Sequence, residues 1–273
     1  MGSRPTGIDY SDIHRIDSPA NRALRATIWA KGDDLGQQSF ATPRYFDFIA
    51  ARLGMGPGMR VLDLGSGSGG PAVYIADRTG CRLTGLEVNE VGVEVSRSVA
   101  QKAGLEDRVD FVLADGMDMP FDDATFDAVY SMNVMNVFPD KVALFREVRR
   151  VLRPGGVWAF LSGTFEFGPG DEGARRLYEA GYAIPQYTDD LAGYKRKLAE
   201  AGFVVDEVTE YISDYRATIA RWLDGWRAHR DAIAAEQGAD QTDHHIAYFV
   251  AYLRMIDEGK ASNHLVISHR PEN

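Results

Sequence analysis

A single cysteine, Cys81, in 273 residues excludes an internal disulfide, and its place at the start of an apolar strand marks it as a small buried hydrophobe rather than a nucleophile. No apolar run approaches the roughly 20 residues of a membrane span, and the first residues lack a secretory hydrophobic region. Positive charge is also scarce: 30 Lys and Arg against 40 Asp and Glu leave a formal charge of −10. The basic residues are scattered over helices and build no phosphate-gripping stripe, so neither nucleic acid nor anionic membrane is an expected partner. The expected setting is the cytoplasm. What is abundant is hydrophobic content, 45%, enough for one generous α/β unit with a proper core.

Residues 1–17 read as a polar arm. Ser18-Pro19 and Thr42-Pro43 then each combine a cap residue with a proline at the first helical position, predicting helices to about Trp29 and about Leu53. Short apolar runs at 59–64, 82–87, 109–113, 126–131 and 156–162 read as strands, separated by helical patterns at 70–79, 90–103 and 140–152. That alternation implies βαβ units and a parallel sheet covered on both faces. The last third changes rhythm: helices at about 172–182 and 189–201, a strand at Phe203–Tyr211, two helices across about 214–236 and 241–258, and a final strand at Asn263–His269.

Val61-Leu62-Asp63-Leu64-Gly65-Ser66-Gly67-Ser68-Gly69-Gly70 is an apolar strand running into a glycine-rich loop, where backbone can approach a ligand closely. Gly65, Gly67 and Gly70 satisfy the dinucleotide pattern G-x-G-x-x-G, which alone is weak. Asp63 puts a carboxylate at the mouth of the loop, awkward for a pyrophosphate at the helix N-terminus. A sulfonium ligand with an amino-acid tail suits it better: Asp63 can accept hydrogen bonds from an ammonium while glycine amides approach the tail's carboxylate. Glu87, ending the second strand, can take both ribose hydroxyls of either cofactor. Asp115, ending the third, can accept from an adenine amino group with Met117 against the ring.

These segments, with Phe126-Asp127-Ala128-Val129-Tyr130-Ser131 and Arg150-Val151-Leu152-Arg153-Pro154-Gly155-Gly156-Val157, resemble in order the successive motifs of class I S-adenosylmethionine-dependent methyltransferases, over about residues 55–165. Gly32-Asp33-Asp34-Leu35-Gly36-Gln37-Gln38-Ser39 resembles the N-terminal segment of the sarcosine/dimethylglycine and natural-product group, which folds over the cofactor. The resemblance implies a Rossmann-like, seven-stranded, mostly parallel sheet with an antiparallel edge hairpin, plus N-terminal helices and a helical insertion before the last strand. It implies S-adenosyl-L-methionine as cofactor and S-adenosyl-L-homocysteine as product. It places Asp63, Gly65, Ser66, Gly67, Gly69, Glu87, Val88, Asp115, Gly116, Met117 and Met132 around the cofactor, with Trp29, Gln37 and Gln38 enclosing it. The expected division is an N-terminal cover over 1–54, a binding core over 55–165, and a remainder over 166–273 whose insertion at about 213–260 forms much of the substrate lid.

Methyl transfer from a sulfonium is an in-line displacement, so catalysis rests on holding the acceptor close and collinear; a base is needed only where the acceptor must lose a proton. The end of the fourth strand faces the transferred methyl in the family. There Asn133 and Asn136 stand where relatives often carry an acidic residue and a histidine, which favours amide hydrogen bonds over a histidine base. Glu166 and His14 are the further candidates for a catalytic role; His244-His245 have no metal-ligand spacing, and no metal is expected. In the late insertion Tyr215, Trp222 and Tyr248 are the substrate candidates among a dense aromatic stripe, which at helical spacing more often means packing than a cation-binding box. The expected function is methyl transfer to a small molecule, amine nitrogen slightly ahead of oxygen or carbon. The alternative is a natural-product enzyme of the same fold that binds the cofactor but catalyses another step, such as a cyclisation. A homodimer through the arm or insertion is compatible with the sequence.

Overall fold

The computed structural model describes residues 18–180 and 186–272. Its frame is a seven-stranded sheet of β1 (Arg60–Leu64), β2 (Arg82–Glu87), β3 (Val109–Leu113), β4 (Phe126–Met132), β5 (Leu152–Phe165), β6 (Val204–Glu210) and β7 (Ala261–His269), in the order β3-β2-β1-β4-β5-β7-β6. The pairs from β3 to β5 are parallel. β7 runs antiparallel to both β5 and β6, which makes it the reversed strand and sets the antiparallel pair at the sheet edge.

Helices α1 (Pro19–Ile28) and α2 (Pro43–Arg52) precede the sheet; α3 (Gly70–Thr79), α4 (Glu90–Ala103) and α5 (Lys141–Val151) are the crossovers. Local chemistry explains their ends. Ser18 accepts from Asn21 N at 3.1 Å, Asn89 from Gly92 N at 3.1 Å and Asp140 from Ala143 N at 2.9 Å, each satisfying a donor that the first turn leaves open. Thr42 differs from its sequence expectation, since its side chain makes no cap bond. After β5 come α6 (Glu172–Ala180) and α7 (Leu191–Glu200), then the insertion of α8 (Ile212–Ala228), α9 (Arg230–Gln237) and α10 (Ala239–Asp257). The insertion thus holds three helices where the apolar periodicity predicts two: the chain breaks at His229, outside helical geometry, and again at Gly238, whose φ is 98°. β5 is longer than its apolar run because its end, to Phe165, pairs with β7 as far as Ala261.

Alternate strand residues feed two cores, as the pleat requires. Val61, Phe111 and Tyr130 pack with Phe46, Ile49 and Ile75 on one face; Leu62, Val129, Trp158 and Phe160 pack with Leu144, Phe145, Tyr194 and Leu198 on the other. A third cluster joins Leu24, Ile28 and Trp29 of the first helix and its end to Ile219, Trp222, Trp226 and Phe249 of the insertion. The N-terminal helix and the insertion are therefore bound to each other by apolar burial. Among the described residues no helix is long and apolar enough to cross a membrane, and no group of three or more His, Cys, Asp or Glu is placed to hold a metal ion.

Candidate functional site

A cavity of about 520 Å³ opens at the C-terminal ends of β1 to β4, at the point of the sheet where strand order reverses and open α/β folds place their ligands. Its size falls within the roughly 300–1,000 Å³ typical of small-molecule sites. One end is glycine and carboxylate; the other is aromatic.

At the first end the loop after β1 is drawn onto β2: the N–H groups of Gly65 and Ser66 donate to Leu86 O at 2.9 and 3.1 Å. Gly65 has φ 78°, and a Cβ there would meet Val134 Cγ2 at 2.7 Å, so the turn requires glycine. Glu87 is clamped across the mouth, its Oε2 accepting from Gly67 N and its Oε1 from Asn89 N, both at 2.9 Å. Asp115 accepts from Met117 N at 2.9 Å. Asp63 is 4% exposed. Burial pushes its carboxyl up to about 7, opposed by its interaction with Tyr130 and reinforced by the charge of Glu87. A desolvated carboxyl of this kind favours a cationic ligand group beside it. Ser66 Oγ is buried there with no protein hydrogen-bond partner.

The cover is the loop between α1 and α2. Arg25, buried on α1, pairs with Asp34 and donates to Gln37 O at 3.2 Å. Gln37 is itself structural: its Nε2 donates to Asp33 O at 2.9 Å and Ala41 O at 3.2 Å, and its Oε1 accepts from Leu35 N at 2.7 Å. Gln38, in contrast, lines the cavity with a buried Nε2 that has no protein partner. The loop lies so close over α3 that a Cβ on Gly70 would sit 1.6 Å from Leu35 O, and Ser68 Oγ donates to Gly36 O.

Toward the aromatic end, Met132, Asn133 and Asn136 meet Phe40, Tyr178, Tyr215 and Tyr248. Asn133 has a left-handed backbone, φ 60°, a conformation tolerated by few side chains and concentrated at functional sites. Its Oδ1 accepts from Tyr215 Oη at 2.9 Å and Asn263 Nδ2 at 3.4 Å, while its Nδ2 is buried without a partner. Asn136 lies in a satisfied network: its Oδ1 accepts from Tyr194 Oη at 2.8 Å and Ser162 Oγ at 3.4 Å, and its Nδ2 reaches Gly163 O and Tyr178 Oη at 3.5 Å.

The cavity thus gathers Asp63, Gly65, Ser66, Gly67, Glu87, Val88, Asp115, Gly116, Met117, Met132, Gln37 and Gln38 from four strand ends and the cover. Several sequence candidates are placed elsewhere. Trp29 and Trp222 pack edge to face, centroids 6.3 Å apart, in the cluster behind the cavity wall, because their large apolar rings join α1 to α8. Gly69 also falls outside the lining; a Cβ there would lie 2.4 Å from Ser96 Cβ, so its part is close packing of the loop on α4. Glu166 is exposed just past β5, outside the lining, with its N–H bonded to Lys260 O at 2.9 Å. His245 is buried against Trp226 rather than facing the cavity. His14 lies outside the described residues. Sequence reasoning missed Phe40, Phe46, Tyr130, Tyr178 and Tyr187. Only Tyr130 carried a signal: in the parallel register of β1 and β4 it is the partner of Asp63.

This strand order with its reversed seventh strand, a glycine loop after β1 and carboxylates ending β2 and β3 define the class I S-adenosylmethionine-dependent methyltransferase fold. Residues 62–160 match the family described as "Methyltransferase domain". A sterol 24-C-methyltransferase of Gibberella zeae is 44% identical over 118 residues, 43% of this chain and 31% of that protein. The 27-O-demethylrifamycin SV methyltransferase of Amycolatopsis mediterranei is 38% identical over 148 residues, 53% of this chain and 54% of that one. The chain thus spans about half or less of the length of these curated relatives. Among solved structures, the cyclase SpnF has a TM-score of 0.73 at 24% identity, covering 85% of this chain and 82% of its own. Phosphoethanolamine N-methyltransferase 2 of Haemonchus contortus, in complex with S-adenosyl-L-methionine, has a TM-score of 0.76 at 19% identity, covering 97% and 60%. Those two likenesses establish a shared fold.

Proposed function

We propose that the protein transfers a methyl group from S-adenosylmethionine to a small-molecule acceptor held at the aromatic end of the cavity. The observation that carries this reading is the cavity's continuity from the buried Asp63 carboxyl, past Met132 and Asn133, to the tyrosine wall. The residues present fit the cofactor. Asp63 would hold its ammonium, the loop amides its carboxylate, Glu87 the ribose hydroxyls, and Asp115 the adenine amino group with Met117 against the ring. Bound, the cofactor supplies an electrophilic methyl on a sulfonium. The chain's own contribution is positioning and exclusion of water: the Arg25-anchored cover closes one side, and Tyr178, Tyr215 and Tyr248 close the other.

The slight preference for nitrogen read from the missing histidine finds no support in the sequence relatives, which are named for C-24 of sterols and for 27-O-demethylrifamycin SV. Incubation with S-adenosylmethionine and a panel of neutral amines, phenols and terpenoid or polyketide alcohols, with S-adenosylhomocysteine as readout, tests the reading. Time-dependent formation of that product together with a methylated acceptor supports it. Acceptor conversion without S-adenosylhomocysteine would instead favour the cyclisation-type alternative.

A further inference from the structure

The charged side chains along the cavity are distributed unevenly. Three lie on the described lining, Asp63, Glu87 and Asp115, and all are carboxylates at the glycine end. The chamber beyond Met132 is walled by Phe40, Val137, Tyr178, Tyr187, Tyr215 and Tyr248. Burial pushes the Tyr178 hydroxyl up to about 12, so it stays neutral in any ordinary buffer. Lys141 contacts the Tyr187 backbone but is not on the lining: its side chain is 2% exposed, and its Nζ is held by Asp189 at 3.1 Å, Tyr187 O at 2.7 Å and Phe138 O at 3.3 Å. Asp189 in turn pairs with Lys197, which closes that charge cluster behind the wall.

We propose that this chamber selects an uncharged acceptor, a largely apolar body with oxygen or nitrogen functions that meet tyrosine hydroxyls and the Asn133 amide, and rejects molecules carrying a phosphate, sulfonate or carboxylate. An anion entering it would lose its water without gaining a counter-charge among the described residues, and would approach a cavity whose other charges share its sign. Neutral rings lose little on entry and gain burial against the tyrosine faces. The proposal deepens the methyl-transfer reading and rests on it for the identity of the chamber's occupant as acceptor.

The test uses two fluorescent probes with the same body, N-phenyl-1-naphthylamine and its sulfonate, 1-anilinonaphthalene-8-sulfonate, titrated into the full chain with and without saturating S-adenosylhomocysteine. Chamber binding is the part of the signal lost in both Val137→Trp and Gln186→Trp, two bulky changes on different parts of the lining, each checked for an unchanged circular dichroism spectrum. The expected result is saturable chamber binding of the neutral probe and at least tenfold weaker binding of the sulfonate, with Gln186→Lys narrowing the gap at least threefold. Equal or tighter chamber binding of the sulfonate overturns the proposal, and so does the absence of saturable chamber binding by the neutral probe. Calorimetric binding of S-adenosylhomocysteine is a separate arm: its failure counts against the methyl-transfer reading, while the ratio of the two probes still decides the chamber's charge preference.

Discussion

Tyr215 of α8 donates its hydroxyl proton to Asn133 Oδ1 at 2.9 Å, tying the helical insertion to the end of β4 at the middle of the cavity. The bond spans 82 residues of sequence and ends on a side chain whose backbone is held in the left-handed region. Tyr215→Phe removes one buried hydrogen bond and leaves Asn133 Oδ1 with only the longer bond from Asn263 Nδ2 at 3.4 Å, an expected loss of about 1 kcal/mol. Thermal unfolding should register it as a lower midpoint. Binding of S-adenosylmethionine should stay within threefold of wild type, because Tyr215 is not among the residues proposed to hold the cofactor.

Asp63→Ala and Glu87→Ala are each expected to weaken S-adenosylmethionine binding at least tenfold, about 1.4 kcal/mol, by calorimetric titration. Unchanged affinity in both variants would refute the site assignment.

Asp63 also makes binding depend on pH. Burial raises its folded value to about 7, so in the free protein between about pH 4 and 7 the folded state holds a proton that the unfolded chain has released, and its contribution to stability falls as pH rises through that window. A ligand ammonium favours the ionised carboxylate, so binding must release that proton below about pH 7. Affinity for S-adenosylmethionine should therefore rise from about pH 5.5 to 7, with proton release seen by comparing buffers of different ionisation enthalpy, and Asp63→Asn should flatten the profile.

Gly70→Ala places a methyl where Leu35 O now lies. α3 can retain its helix, since alanine suits it, so the strain falls on the cover. Hydrogen exchange over residues 33–41 should quicken several-fold, and cofactor affinity should drop, while exchange in β1 and β4 stays as in wild type.

The same cover is acid-sensitive. Burial alone would raise the Asp34 carboxyl, but Arg25 and the Gly36 N–H hold it below its ordinary value. Its stabilising contribution is present above the unfolded-chain value near 3.8 and is lost as pH falls through the lower folded value. Proteolysis within residues 31–41 should increase on acidification below about pH 4, and Asp34→Asn should show that susceptibility already at neutral pH.

Much of the frame follows from local rules. Strict strand and helix alternation, a cap residue such as Ser18, and the glycine loop with Asp63 determined the parallel sheet and the glycine-rich end of the cavity, because these features depend on hydrophobic period and on backbone conformations that neighbouring residues set. The helical insertion was legible as helices but not as three of them, since the break at His229 carries no proline or glycine signal.

Tertiary structure alone decided the rest. Asn133 and Asn136 are near-equivalent in sequence, yet Asn136 is satisfied by Tyr194, Ser162 and Tyr178 while Asn133 keeps an unmet donor. Trp222 and Tyr215 lie on one helix; one faces the apolar cluster with Trp29 and the other the cavity. Glu166, flanked by phenylalanines in sequence, turned out exposed. Which face of a side chain is buried, and whether a polar atom finds its partner, depends on contacts between segments scores of residues apart. Those contacts also decided that every charge on the described lining gathers at the glycine end and leaves the tyrosine chamber uncharged.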